Sequence, residues 1–183
     1  MNEFSFSVPQ NITVGKGSLA KLPEVAKKLG GSHAFLMSGP HLAKMGLVEK
    51  ATESLKSAGI EVDTFTEIEG NPSVETVEKA TAAFKEASAD FIVAFGGGSP
   101  MDVAKAVGVT AKYGGSITEY EGAHKVPGPI IPLIAIPTTA GTGSEVTAFS
   151  VITDHSRDYK LTVFSYEILP AYAILDAELL TTA

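Results

Sequence analysis

The 183-residue sequence contains no cysteine and no tryptophan, and its 14 lysines and arginines are outnumbered by 21 aspartates and glutamates. Each shortage excludes something. Without cysteine there is no disulfide, no thiolate metal centre and no thiol nucleophile. A formal net charge of -7 argues against a duplex-binding surface, which needs clustered Lys and Arg to displace counterions, so no nucleic-acid partner is expected. Long apolar runs are also missing: the stretch from Pro129 to Ile136 is interrupted by proline and is too short to cross a bilayer, so no membrane partner is expected. Met1 to Val14 shows no basic segment followed by an apolar one, which predicts a cytoplasmic protein without a signal peptide, and Asn11-Ile12-Thr13 is then a chance sequon.

What is present reads as one globular domain over residues 1–183, with 44% hydrophobic residues and with 18 glycines and 10 prolines spaced as turn punctuation. Phe4, Phe6 and Val8 alternate with serines, predicting a half-buried strand with Ile12 to Val14 as a possible hairpin partner. Ser18 is placed to cap a helix whose apolar residues Leu19, Leu22, Val25, Ala26 and Leu29 recur until Gly30-Gly31. Strands and helices then alternate. Ala34 to Met37, Ile60 to Phe65, Phe91 to Phe95 and Ile130 to Ile136 read as strands; helices are predicted from Pro40 to about Ala58, from an N-cap at Ser73 to about Ala87, and from Ser99 to about Tyr113. Continuous apolar strands separated by helices predict an α/β fold, an open doubly wound parallel sheet of Rossmann-like type. Thr147 to Thr153, Lys160 to Phe164 and Ala171 to Leu175 follow without intervening helices, which predicts a C-terminal β-hairpin layer against the first sheet.

Two loops carry the functional signal. Gly96-Gly97-Gly98-Ser99 follows the most apolar strand and opens a helix, and glycines there allow a phosphate to approach the backbone and the unpaired amides of a helix N-terminus. Ser99 is read as the N-cap, Pro100 as N1 and Asp102 as the acidic member of a capping box. The turn lacks the third glycine of G-x-G-x-x-G, and no G-x-x-x-x-G-K-[ST] occurs. The second loop, residues 137–147, offers Thr138, Thr139, Thr142, Ser144 and Thr147 with Gly141 and Gly143 after another buried strand. Short hydroxyls and glycines suit a ribose or pyrophosphate, and two such loops at the carboxyl edge of one sheet outline a crevice long enough for a dinucleotide.

The sequence Gly96 to Lys105, the stretch 137–147, Asn71-Pro72, Val151-Ile152-Thr153-Asp154, Lys160 and Ala173-Ile174-Leu175-Asp176 together resemble the nucleotide domain of the iron-dependent alcohol dehydrogenases. The resemblance implies NAD or NADP as cofactor, a small alcohol or aldehyde as the parent protein's substrate, and a homodimer using the first strand. It implies cofactor contacts from Asn71, Gly97, Gly98, Ser99, Asp102, Thr138, Thr139, Thr142, Thr147, Phe149, Lys160 and Leu179. Asp102 is equally a capping acid, Phe149 and Leu179 are by themselves core residues, and Asn71 is by itself a turn residue. Gly39 is a departure. Members preferring NAD often carry an acid here for the ribose hydroxyls, so Gly39 and the helix opening at Pro40 point to tolerance of a 2'-phosphate and make NADP a candidate.

Iron or zinc in this family is held by one Asp and three His of a helical domain expected beyond Leu179. His33, His41, His124 and His155 are scattered without ligand spacing, so metal is expected only in the full-length parent, and these 183 residues are expected to bind cofactor without catalysing. Glycerol dehydrogenases and dehydroquinate synthases share this kind of nucleotide domain and remain alternatives, as does a stand-alone dinucleotide-binding or assembly module.

Overall fold

The segment Phe91-Ile92-Val93-Ala94-Phe95 has no polar side chain to turn toward water, so it is stable only with both faces covered. In the computed structural model, which describes residues 10–181, it forms β4 (Phe91–Gly96), buried throughout. Before it come β1 (Asn11–Val14), α1 (Leu22–Leu29), β2 (His33–Met37), α2 (Pro40–Lys44), α3 (Leu47–Ser57), β3 (Glu61–Phe65) and α4 (Val74–Ala87). After it come α5 (Gly98–Tyr113), β5 (Gly122–Ala123), β6 (Leu133–Pro137), β7 (Phe149–Asp154), β8 (Tyr159–Phe164) and β9 (Tyr172–Leu175). The main sheet has the order β1-β9-β6-β4-β2-β3 with every pairing parallel.

Alternation along β4 divides the core. Ile92 and Ala94 pack with Val77 and Phe84 of α4 and with Met101, Ala104 and Val107 of α5. Phe91, Val93 and Phe95 point the other way, toward Leu22 and Val25 of α1 and Ala51 and Leu55 of α3. The doubly wound class is therefore present. Chain order reverses between β2 and β4, with β3 on one flank of β2 and β4 on the other, which opens a crevice at the carboxyl ends of these strands.

Several local expectations are corrected. The C-terminal layer is a hairpin of β7 and β8 joined by β5, a separate three-stranded sheet, whereas Ala171 to Leu175 supplies β9 to the main sheet. Its Ala173 and Ile174 are both buried, a demand that only a sheet covered on both sides meets. Ile12 to Val14 pairs in parallel with β9, while Phe4 to Val8, the expected hairpin partner, lies outside the described residues. The helix expected from Pro40 to Ala58 is two, because Gly46 adopts a left-handed conformation (φ 74°) between α2 and α3. No helix among the described residues is long and apolar enough to cross a membrane.

Ser18 does not cap the first helix. It begins a 3-10 turn, Ser18–Lys21, behind a left-handed Gly17, and its hydroxyl donates to the Leu175 carbonyl. The capping acceptor comes from the far end of the chain: the buried Asp176 carboxylate accepts from the amides of Gly17 (2.9 Å), Leu19 (2.9 Å) and Glu178 (3.0 Å). Burial works against its charge, but these amides more than offset it and hold the carboxyl below the usual aspartate range. A depressed folded-state pKa stabilises above the unfolded value and loses that contribution as pH falls through the folded one. Asp176→Ala is expected to lower stability by about 1–3 kcal/mol at neutral pH, and the gap to wild type should close below about pH 4 in urea titrations. An unchanged denaturation midpoint at neutral pH would contradict this role.

Candidate functional site

The crevice is built where β4 turns into α5. Gly96 has φ 151°, and a β-carbon there would stand 2.8 Å from Pro100 Cγ, so the turn is open only to glycine. Gly97 is the extended N-cap of α5 and Gly98 its first residue, with no side chain capping the first turn. The expected capping box of Ser99 and Asp102 is thus absent. Because glycine takes the cap position, the helix starts earlier than Ser99 and its first amides face the crevice uncapped by any side chain.

Asp102 is turned across the crevice instead. One oxygen accepts from Ser144 Oγ at 2.8 Å and the other from the Val151 amide at 3.2 Å. Burial pushes its carboxyl above the usual aspartate range, against the Ser144 hydroxyl, Lys105 and the Val151 amide. The second loop lies close to the glycine turn: a β-carbon on Gly97 would meet Thr139 Oγ1 at 3.1 Å, and one on Gly98 would meet Thr142 Cγ2 at 3.5 Å.

Two lobes meet over this helix start and share Gly98 and Ser99. The larger, about 500 Å³, runs past Gly39, Pro40, His41, Ile68, Glu69 and Gly70 on one side and past Gly96 to Pro100, Thr138 and Thr139 on the other. The smaller, about 290 Å³, is bounded by Asn71, Pro72, Asp102, Thr142, Ser144, Thr147, Phe149, Val151, Thr153 and Lys160. Lys160 Nζ donates to Asn71 Oδ1 at 2.7 Å across this lobe, with Asn71 in a left-handed conformation (φ 54°). The Thr153 amide donates to the Pro72 carbonyl at 2.8 Å and ties the Asn71 loop to β7. Phe149 is 46% exposed and stacks on Phe164 with ring centroids 4.6 Å apart.

All the site residues named from sequence line one lobe or the other except Leu179. That side chain is buried in the core beside α1 and α3 and borders a separate cavity with Leu19, Leu47 and Ala51, as its apolar character dictates. The expectation for Gly39 is altered in one respect: it lines the larger lobe, but α2 is five residues long and begins with proline, which has no amide hydrogen to offer an anion.

Sequence reasoning passed over Lys105. Fully buried on α5, it directs Nζ at the carbonyls of Ser144 (2.7 Å), Thr147 (2.9 Å) and Phe149 (2.8 Å) and at Ser144 Oγ (3.0 Å). Burial pulls this lysine down to about 8, against the attraction of Asp102 and Glu145. The available signal was a lysine set among Val103, Ala104, Ala106 and Val107 on the most apolar helix of the chain. Among the described residues, no three His, Asp or Glu side chains gather to hold a metal.

A family model described as iron-containing alcohol dehydrogenase matches residues 9–177. The chain is 36% identical over 176 residues to the NAD-dependent methanol dehydrogenase of Bacillus methanolicus, covering 96% of this chain and 46% of that protein. It is 39% identical over 181 residues to the NADPH-dependent butanol dehydrogenase of Clostridium saccharobutylicum, covering 97% and 46%. Among solved structures, sulfoacetaldehyde reductase from Bifidobacterium kashiwanohense in complex with NAD+ superimposes with a TM-score of 0.93 at 32% identity, covering 100% of this chain and 48% of that one. The chain therefore spans about half the length of these proteins.

The glycine turn can be tested without any ligand. Gly96→Ala is expected to destabilise the fold by about 1–3 kcal/mol, through a backbone conformation alanine resists and a clash with Pro100. Thermal melts of the two proteins should differ by several degrees, and coincident melts would mean that the turn relaxes freely.

Proposed function

The chain belongs to the iron-containing alcohol dehydrogenase family, and from that membership we propose that it is the dinucleotide-binding half of an NAD(P)-dependent alcohol dehydrogenase. The observation that carries the proposal is the two-lobed crevice joined at the uncapped N-terminus of α5, at the point where strand order reverses. The residues fit such a ligand. A β-carbon on Gly97 would press on Thr139, so glycine there keeps the phosphate cradle clear, and the first amides of α5 suit a pyrophosphate.

In this proposal the larger lobe takes the adenosine half, beside Gly39 and the Ile68 to Gly70 turn. The smaller lobe takes the nicotinamide half, with the Lys160–Asn71 pair as hydrogen-bonding partners for ribose hydroxyls. Thr147, Phe149 and Asp102 wall the nicotinamide and orient it, while Thr138, Thr139 and Thr142 offer neutral hydroxyls along the phosphates. When bound, the dinucleotide supplies or takes up the hydride exchanged with a small alcohol or aldehyde. The described residues do not fit the family's metal, since they bring no ligand set together. Among the described residues β1 is an edge strand of the main sheet, with Val14 74% exposed, and a homodimer through the N-terminal segment of residues 1–14 is part of this proposal.

Ligand at about a hundred times its dissociation constant should stabilise the chain by about 2.7 kcal/mol. Gly98→Asp is the matched control. Its β-carbon makes only ordinary contact with Thr142, so the variant should fold, while its carboxylate would face the phosphates and remove the shift. The absence of a melting shift with millimolar NAD(H) and NADP(H) in wild type would refute the proposal.

Cofactor choice turns on Gly39. No acid stands at the end of β2, and the one carboxylate in that lobe, Glu69, lies on the opposite turn with one oxygen held by the Ser73 amide (3.1 Å) and the Thr76 hydroxyl (2.6 Å). NADP is therefore expected to bind at least as well as NAD. Gly39→Asp places a charge beside the ribose and should weaken NADP about tenfold relative to NAD in calorimetric titrations. A wild-type preference for NAD of about tenfold would overturn this assignment.

A further inference from the structure

Thr147 and Phe149 face the smaller lobe, yet the chain that carries them has little regular structure before β7. Gly141 and Gly143 have positive φ (111° and 65°), and between them and β7 lies only a 3-10 turn, Ser144–Val146. A segment of this kind does not hold its own shape. Its carbonyls show what does: those of Ser144, Thr147 and Phe149 all turn inward to within 2.9 Å of one ammonium, Lys105 Nζ.

Lys105 sits on the same helix whose first turn meets both lobes. Its contact with Ser144 Oγ continues to the Asp102 carboxylate, which also accepts from the Val151 amide, so Lys105 and Asp102 together fix the strap of residues 142–149 against α5, with Lys105 holding its carbonyls. It lines neither lobe and is completely buried. The larger lobe is walled by the ends of β2, β3, β4 and β6, and the ammonium's partners, Ser144, Thr147 and Phe149, all lie outside it.

We infer that Lys105 is a positioning residue for the nicotinamide side of the crevice, holding the strap against α5 without touching the cofactor. The inference rests on the cofactor reading above. It adds a division: the smaller lobe depends on Lys105, and the larger lobe is built without it. Replacing the ammonium by an isosteric apolar group leaves inward-facing carbonyls without a donor, so the strap must open to hydrate them.

The test compares a ligand that fills both lobes with one that fills only the larger. Wild type, Lys105→Met and Lys105→Arg are titrated calorimetrically with NADH, NADPH and ADP. In Lys105→Met the tighter-binding dinucleotide should lose about tenfold in affinity while ADP stays within about twofold, and amide hydrogens of residues 144–151 should exchange faster. Arginine keeps the charge, but its planar fork cannot reproduce a pyramidal ammonium among these oxygens, so the dinucleotide should lose about threefold and ADP little. Should the methionine variant fail to fold, the arginine variant decides alone. Equal losses for dinucleotide and ADP, or an unchanged ratio between them, would overturn the inference. If wild type bound no dinucleotide, the cofactor reading would fall and this inference with it.

Discussion

A buried ammonium surrounded by carbonyl oxygens holds the strap that walls the smaller lobe against the helix that opens both lobes. Lys105 leaves water completely, a transfer that costs several kcal/mol for an ion, and what compensates it is a set of acceptors arranged around one nitrogen. Those acceptors come from a segment without a helix or strand of its own before β7, tied otherwise by Gln10 to the Glu145 carbonyl and by the Ser165 amide to the Ala148 carbonyl. Once they are fixed, Ser144 is placed to donate to Asp102, and Asp102 is placed to accept from the Val151 amide at the start of the second sheet. Ser150 adds a bond from its hydroxyl to the Asp102 carbonyl at 2.8 Å. The small sheet is thus docked on the helical layer by Ile152, Leu161 and Val163, buried in one core with α4 and α5, and is fixed to the start of α5 by these polar contacts, beside which the smaller lobe lies.

The larger lobe is held differently. Its floor is the parallel sheet, whose order is set by apolar strands that need cover on both faces, and its walls are the turns leaving those strands. Packing of this kind is spread over many side chains and tolerates small changes in any one of them. A polar cage does not, because each acceptor it orphans stays buried. One crevice therefore has a robust half and a half that depends on a few atoms.

The same contrast explains how far the sequence could be read. Phe91 to Phe95 and the apolar run ending at Ile136 announced buried parallel strands because hydrophobic continuity is a local property, and the glycine turn marked the position of the crevice because backbone access is local too. What stayed hidden was decided at long range. Asp176 caps a turn at Gly17 and Leu19, and Ser18 lost that role to it although Ser18 is the better local candidate. The acid at Asp102 was taken for a capping residue of its own helix, whereas its partners lie on Ser144 and Val151. Ala171 to Leu175 looked like a third strand of the hairpin layer and entered the main sheet, since only the register of β6 and β1 reveals the vacancy it fills. Leu179 was assigned to the crevice by family likeness alone, and its apolar side chain sits in the core.

The seam at Gly98 and Ser99 has a physical consequence for how a ligand spanning both lobes is held. The helix start belongs to both lobes, so a phosphate bound there draws on the same amides whichever half of the ligand is seated. Affinity for that common part is then set by the glycine turn, and discrimination is left to the two ends: the turn at Gly39 and Ile68 to Gly70 for one, the strap and Lys160 for the other. The ends stand on different supports, the parallel sheet and the docked hairpin, and are tied where the loop that leaves Ile68 to Gly70 continues to Asn71 and Pro72, whose partners are Lys160 and the Thr153 amide. A change confined to Gly39 or to the strap should therefore act first on its own end, whereas a change at Asn71, which neighbours one end and bonds to the other, should be felt at both. Coupling between them can run through the Asn71 loop or through α5, and on the α5 route Lys105 and Asp102 are the residues that bind the helix to the strap.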